Sequence, residues 1–224
     1  MERPRAASCF VSIRAYTPSV LSPESVVQAG VDAVREGGLS NLGIRALAER
    51  LGVTPMALYR HVATAAALER AVVDAVLARV PTVAAKVEFT HAARSWAQGA
   101  RPVLAAHPGV ARHVLTNWFR LPRVLDWLEG LLAAAERTAV PGSAAVAAVN
   151  AVFTYVLMRV EFEDAVHTAG VIRRKLPKGA RSEARWPHFM ANAAEYEVAH
   201  LDRHFMFGLE TLLLGLDRRK HVGT

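Results

Sequence analysis

Apolar residues in this chain recur at intervals of three and four, and its many valines rarely alternate with polar residues. That period is helical, so the chain is predicted to be all-α. Turn and cap residues divide the pattern into nine to ten helices. Ser22 is an N-cap with Pro23 at the first helical position, and Gly37-Gly38 closes that helix. Its inward face is expected to be Val26, Val27, Gly30 and Val34. A short helix is predicted over Ile44–Leu51, stopped by Gly52. Thr54 and Pro55 start another that runs to about His61. Thr64 caps a longer one to about Val80, which Pro81 ends. Further helices are predicted at about 89–106, 110–118, 122–138 and 144–165, with two more between 187 and 217. Residues 1–20 read as an irregular basic arm, and 166–186, with little apolar periodicity, as a mobile loop.

Composition removes several classes. At 52% hydrophobic residues the chain can build a core. One cysteine, Cys9, permits no internal disulfide and no cysteine-based zinc cluster. No uninterrupted apolar run approaches the ~18 residues of a bilayer span, so no membrane partner is expected. The first 20 residues lack the apolar stretch of a secretory signal, which leaves a cytoplasmic protein as the expectation. The net charge of +7 suggests an anionic partner. Its distribution changes that inference. Residues 21–80 are neutral overall, with six basic and six acidic side chains, whereas 171–186 alone carry +5.

The most informative segment is therefore Ile44–Val62, IRALAERLGVTPMALYRHV. Two short helices meet at Gly52, and Leu47, Ala48, Leu51, Val53 and Leu58 can close one small core between them. This is helix-turn-helix spacing, although an ordinary helical hairpin shares it. With Leu58 and Val62 facing inward, Thr54, Pro55, Met56, Ala57, Tyr59 and Arg60 face outward. Such a surface suits a DNA major groove, where Arg pairs with guanine and Ala or Met touches a thymine methyl.

Residues 22–80 resemble the N-terminal domain of the tetracycline-repressor (TetR) family of bacterial transcription regulators. The resemblance rests on REGGL ending the first helix, then IRALAERLGV, LYRHV, and Leu68 after a threonine cap. It implies a DNA-binding head over 21–80, including a linking helix 65–80, and a ligand-binding and dimerisation body over 81–224. By the same resemblance Arg45 meets DNA. Pro55, Met56, Ala57, Tyr59, Arg60 and His61 form the reading surface, with Tyr59 and His61 on phosphates. Two positions depart from the family pattern: Gly43 where Ser or Thr usually caps the second helix, and Ala65 where Lys is common. The basic arm before Ser22 is expected to compensate by tracking the DNA backbone.

The end of the chain, FMFGLETLLLGL, resembles the dimerising end of the same class. A homodimer on a palindromic operator follows from it. Its interface is expected at Phe153, Val156 and Val160 with Phe205, Leu209, Leu212, Leu213 and Leu216. No cofactor is expected and, because His107 and His113 are six apart and lack paired metal spacing, no metal; the family also implies a small-molecule effector, of unknown identity. Its pocket is expected at Asn150, Thr154 and Met158, which step along one helix side with Glu161, joined by Trp96, His107, Trp118 and Trp127. Expected function is that of a ligand-responsive repressor, located in the bacterial cytoplasm and at the nucleoid when DNA-bound. Two other classes remain open on the residues. A helical interaction protein could bind anionic surfaces through the basic loop 171–186. A bundle enzyme could use Glu161, Glu163, Asp164 and His167, but a di-metal site needs a second such set, which the sequence lacks.

Overall fold

The computed structural model describes residues 21–83, 86–138, 142–169, 186–197 and 202–220. Among these residues the chain forms eleven α-helices and no strand, one more than the upper count read from the sequence. Helices α1 (Pro23–Gly37), α2 (Ile44–Leu51), α3 (Pro55–Tyr59) and α4 (Ala65–Leu77) come first. They are followed by α5 (Phe89–Ala105), α6 (Val110–Asn117), α7 (Pro122–Arg137) and the long α8 (Gly142–Ala169). Two single-turn helices, α9 (Pro187–Ala191) and α10 (Ala193–Glu197), precede α11 (Asp202–Lys220).

Each early boundary has a local cause. Ser22 and Ser25 form a reciprocal capping box, each hydroxyl accepting from the other's backbone N–H at 3.2 and 2.9 Å. Thr54 and Thr64 cap α3 and α4 by accepting from Ala57 N and Ala67 N at 3.3 and 3.0 Å. Gly52 stands at φ 67°, where a Cβ would be strained, and Val53 N bonds Ala48 O at 3.0 Å to close the turn. The boundaries also correct the sequence reading. α3 stops at Tyr59 rather than near His61, and α8 runs on to Ala169, through the first residues of the expected loop. The rest of that loop, 170–185, lies outside the described residues, as do the basic arm and Cys9. Three helices, not two, lie between 187 and 220.

Helix α8 is the axis of the body, packed by α5, α6, α7 and α11. At 28 residues it spans about 42 Å. It also has the length and composition of a bilayer-crossing helix, although Asn150, Thr154 and Arg159 interrupt its apolar run. Its buried side, Val149, Val152, Phe153, Val156, Leu157 and Val160, is taken by neighbouring helices. Helix α11 is seated on it through Tyr155, whose hydroxyl donates to Phe205 O at 2.8 Å. Arg101 on α5 pairs with Glu163 on α8 and with Asp202 on α11, and its guanidinium lies 4.8 Å from the Phe205 ring centre. Arg94 pairs with Glu210 through both carboxylate oxygens, at 2.6 and 2.8 Å.

One continuous core runs from the first helices into the body. α4 packs against α1 on one side and α5 and α7 on the other. Gly30 permits the α1–α4 approach, because a Cβ there would overlap the Val72 side chain. On α1 the buried stripe is Val26, Gly30, Val31 and Val34, so Val31 replaces the expected Val27, which is half-buried. A backbone bond from Leu39 N to Pro108 O, 2.8 Å, ties the end of α1 to the α5–α6 turn.

His107 sits in that turn. Its Nδ1 is 2.6 Å from Val103 O, so the proton resides there, and Nε2 is buried with no hydrogen-bond partner among the described residues. Burial holds the imidazole pKa below its ordinary value. The bond to Val103 opposes this, Arg79 and Arg35 add to it, and Asp32 offsets them in part. A depressed folded pKa means stability that is present above the unfolded value of about 6.5 and lost as pH falls through the folded one. Thermal midpoints measured from pH 8 to 5 should fall more steeply below pH 6.5 for the wild type than for His107→Gln; parallel curves would contradict this. Leu58, fully buried where α3 meets α2, provides a second check. Leu58→Ala should cost about 2–5 kcal/mol in denaturant unfolding.

Candidate nucleic-acid interface

Helices α2 and α3 pack as a helix-turn-helix. Leu47, Ala48 and Leu58 are buried between them and α1, with Leu51 and Val53 half-buried at the edge. With Leu58 and Val62 held inward, the opposite face of α3 is forced outward. Thr54, Pro55, Met56, Tyr59 and Arg60 are exposed, Met56 at 70%, while Ala57 and His61 are half-exposed. Arg45 is exposed on α2. All eight residues of the expected DNA-reading surface are thus exposed or half-exposed, on or beside α2 and α3. Arg50 is spent differently: it forms a two-pronged pair with Glu36 on α1, both contacts 2.6 Å, which raises its pKa further and lowers that of Glu36. Nothing in the structure requires a glycine at the α2 cap. Gly43 is extended, no side chain caps α2, and a Cβ would meet nothing within 4 Å.

The residues expected to line one effector pocket are scattered. Trp96 and Trp127 lie in the body core, ring centres 5.9 Å apart, and Phe153 stacks on Trp96 at the same distance. The Trp96 Nε1 donor is buried with no hydrogen-bond partner among the described residues. His107 is at the junction of head and body, as described above. Trp118 is on a surface turn, 44% exposed, meeting Phe119 edge-on. Asn150, Thr154 and Met158 point out of the protomer altogether, and Glu161 is engaged by Arg112 at 2.8 Å.

The expected dimer residues show the complementary displacement. Phe153, Val156, Val160, Phe205, Leu209 and Leu213 are buried inside the protomer, so a partner cannot reach them. Leu212 and Leu216 are half-buried beside them. The physical reason is that α8 and α11 are apolar around most of their circumference. Two stripes therefore qualify on each helix, and the protomer's own core claims one of them, against α5 and α7 for α8 and against α5 and α8 for α11. The stripes left outward are Val146, Asn150, Thr154, Met158 and Phe162 on α8 and Phe207, Thr211 and Leu214 on α11. Phe207 is 77% and Leu214 62% exposed. Residue spacing carries the signal of this second stripe, since 150, 154 and 158 step by four, but the same spacing fits the wall of a pocket.

A cleft of about 910 Å³ separates head from body, lined by Leu39, Glu69, Pro108, Arg112, His113 and Glu161 among others. Across it His113 Nδ1 lies 3.0 Å from Glu69. Among the described residues no group of three or more His, Cys, Asp and Glu side chains is placed to hold a metal.

Known proteins share this architecture. Residues 65–219 match the family described as tetracyclin repressor-like, C-terminal domain, so the matched span includes α4 as well as the body. Over 58 residues the chain is 45% identical to the tetracycline repressor protein class A from transposon 1721 of Escherichia coli, a match spanning 26% of this chain and 27% of that protein. The crystal structure of a possible TetR family transcriptional regulator from Streptomyces coelicolor A3(2) superposes with a TM-score of 0.75 at 25% identity, covering 88% of this chain and 99% of that one. BioQ of Mycobacterium smegmatis superposes with a TM-score of 0.61 at 27% identity, over 88% of this chain and 97% of its own. The family match over 65–219, the fold and the helix-turn-helix together lead to one conclusion: the chain belongs to the TetR family of transcription regulators.

Proposed function

We propose that this chain is a DNA-binding transcriptional repressor that acts as a homodimer on a palindromic operator and releases it when a small-molecule effector binds the body. The observation that carries the reading is α3. A five-residue helix, locked from behind by Leu58, presents an exposed methionine, tyrosine and arginine to solvent. An exposed methionine and tyrosine side by side gain nothing in the free protein. In a major groove both have partners. Work on the chromosome places such a protein in the cytoplasm.

Dimerisation is assigned to the outward stripes of α8 and α11 rather than to the buried residues. The two helices are packed against each other through Tyr155 and Phe205, so both stripes belong to one rigid pair. Two copies joined through them form a four-helix interface, and the two-fold axis sets two α3 helices toward half-sites whole helical turns apart.

The effector site is assigned to the body core around Trp96, Trp127 and Phe153. An aromatic cluster with one unbonded N–H supplies apolar contact and a single orienting group, which is how small-molecule pockets are built. Release of DNA is then a population shift: the effector favours a body geometry in which the two α3 helices no longer match successive grooves. α4 is the coupling element, with Asp74 paired to Arg123 of α7 at 2.8 Å as its exposed link. Val73 and Leu77 are fully buried, so charges introduced there would unfold the junction instead of uncoupling it.

Selection of duplexes from a random pool with the purified full chain tests the proposal. A two-fold symmetric site should be enriched, and its affinity should fall with salt as phosphate contacts require. Enrichment of no common site would overturn the reading. In sedimentation the wild type should be a dimer and Phe207→Glu/Leu214→Glu a monomer of unchanged helical content with at least tenfold weaker operator binding. A wild-type monomer at micromolar concentration, or a variant that stays dimeric, would refute the assigned interface.

A further inference from the structure

We infer that α3 identifies its bases chiefly through the methyl groups of thymine, with Met56 as the specificity-determining side chain. The inference rests on the DNA-binding reading above and adds the chemistry of what is read. A helix of five residues rises about 7.5 Å, which is about two base-pair steps. Base identity over those steps falls to very few side chains.

Their chemistry is unusual for a reading surface. Base edges are normally read by bidentate amides or guanidinium groups, as Asn or Gln on adenine and Arg on guanine. The first half of α3 holds none. Thr54 uses its hydroxyl oxygen to cap Ala57 N at 3.3 Å. Pro55 carries neither a backbone N–H nor a polar side chain. Ala57 ends at a methyl group, and Leu58 is in the core. Met56 alone projects, 70% exposed, and it is apolar. Within residues 54–60 the guanidinium is that of Arg60, which stands at the far end of the helix beside Tyr59.

The major groove offers a single apolar group, the C5-methyl of thymine. An exposed thioether with three rotatable bonds can settle against such methyls on either strand, since methionine adapts its shape to irregular apolar surfaces. Burying the pair removes apolar area from water on both partners. α3 therefore selects T·A or A·T pairs at about two adjacent positions of each half-site, and Arg60 or Tyr59 fixes the register.

Deoxyuridine tests this directly, because it keeps the Watson–Crick edge of thymine and lacks the methyl. With the selected duplex and the full-length wild type, each thymine of a half-site is replaced singly by deoxyuridine, at one salt concentration. One or two positions should weaken binding about fourfold each, the worth of one buried methyl-sized group. Met56→Ala should weaken the thymine duplex by a similar factor and bring the thymine-to-uracil ratio at those positions close to one. Its exposed side chain leaves the fold intact, to be checked by an unchanged thermal midpoint. A selected site at which no deoxyuridine matters, or a ratio unchanged in Met56→Ala, would overturn this inference while leaving the DNA-binding reading in place. Failure to select any site would overturn both.

Discussion

Helix α4 is packed on two sides, and the rest of the molecule depends on it. Val72, Val73, Val76 and Leu77 are buried in a single core that α1 closes from the head and α5 and α7 close from the body. Gly30 lets α1 come close enough for this to happen. A head held by one flexible linker could point α3 anywhere. A head whose core continues into the body has a direction, and any shift in α5 or α7 must be felt by α4. The bond from Leu39 to Pro108 and the Asp74–Arg123 pair add two more ties between the same parts. Tight side-chain packing makes such joints move between discrete arrangements rather than deform smoothly, which is what a switch requires.

The body shows how one helix can serve two surfaces. α8 gives one side to its own protomer and leaves Val146, Met158 and Phe162 facing out. α11 does the same, with Phe205, Leu209 and Leu213 inward and Phe207 and Leu214 outward. Charged pairs fix which side is which. Arg94 with Glu210, and Arg101 with Glu163 and Asp202, join α5 to the inner edges of α8 and α11. Arg101 and Glu163 are largely buried, and rotating α11 to present its other stripe would break its pairs to Arg94 and Arg101 and expose the Phe205 ring.

Much of the head was legible in the chain. Ser22, Gly38, Gly52, Thr54 and Thr64 each mark a boundary through a local hydrogen bond or a backbone conformation, and local causes can be read locally. The outward set on α3 followed from Leu58 and Val62, because a short helix with one buried side has its exposed side decided. The pocket and interface residues were not legible in the same way. Trp96, His107, Trp118 and Trp127 are each apolar or amphipathic side chains, and nothing in their spacing tells the core from the junction or the surface.

Periodicity determined that this chain is helical, where most of its helices begin, and that two long helices near its end are apolar nearly all round. It could not decide which of two apolar stripes on each would be consumed by the protomer's own core. That choice belongs to packing. α5 and α7 fill the space beside Phe153 and Val156, so these residues turn inward, and Asn150, Thr154 and Met158 are left for solvent or a partner. A stripe repeating every three or four residues records that a face is apolar; the neighbouring helices, brought together across more than a hundred residues of chain, decide what that face meets.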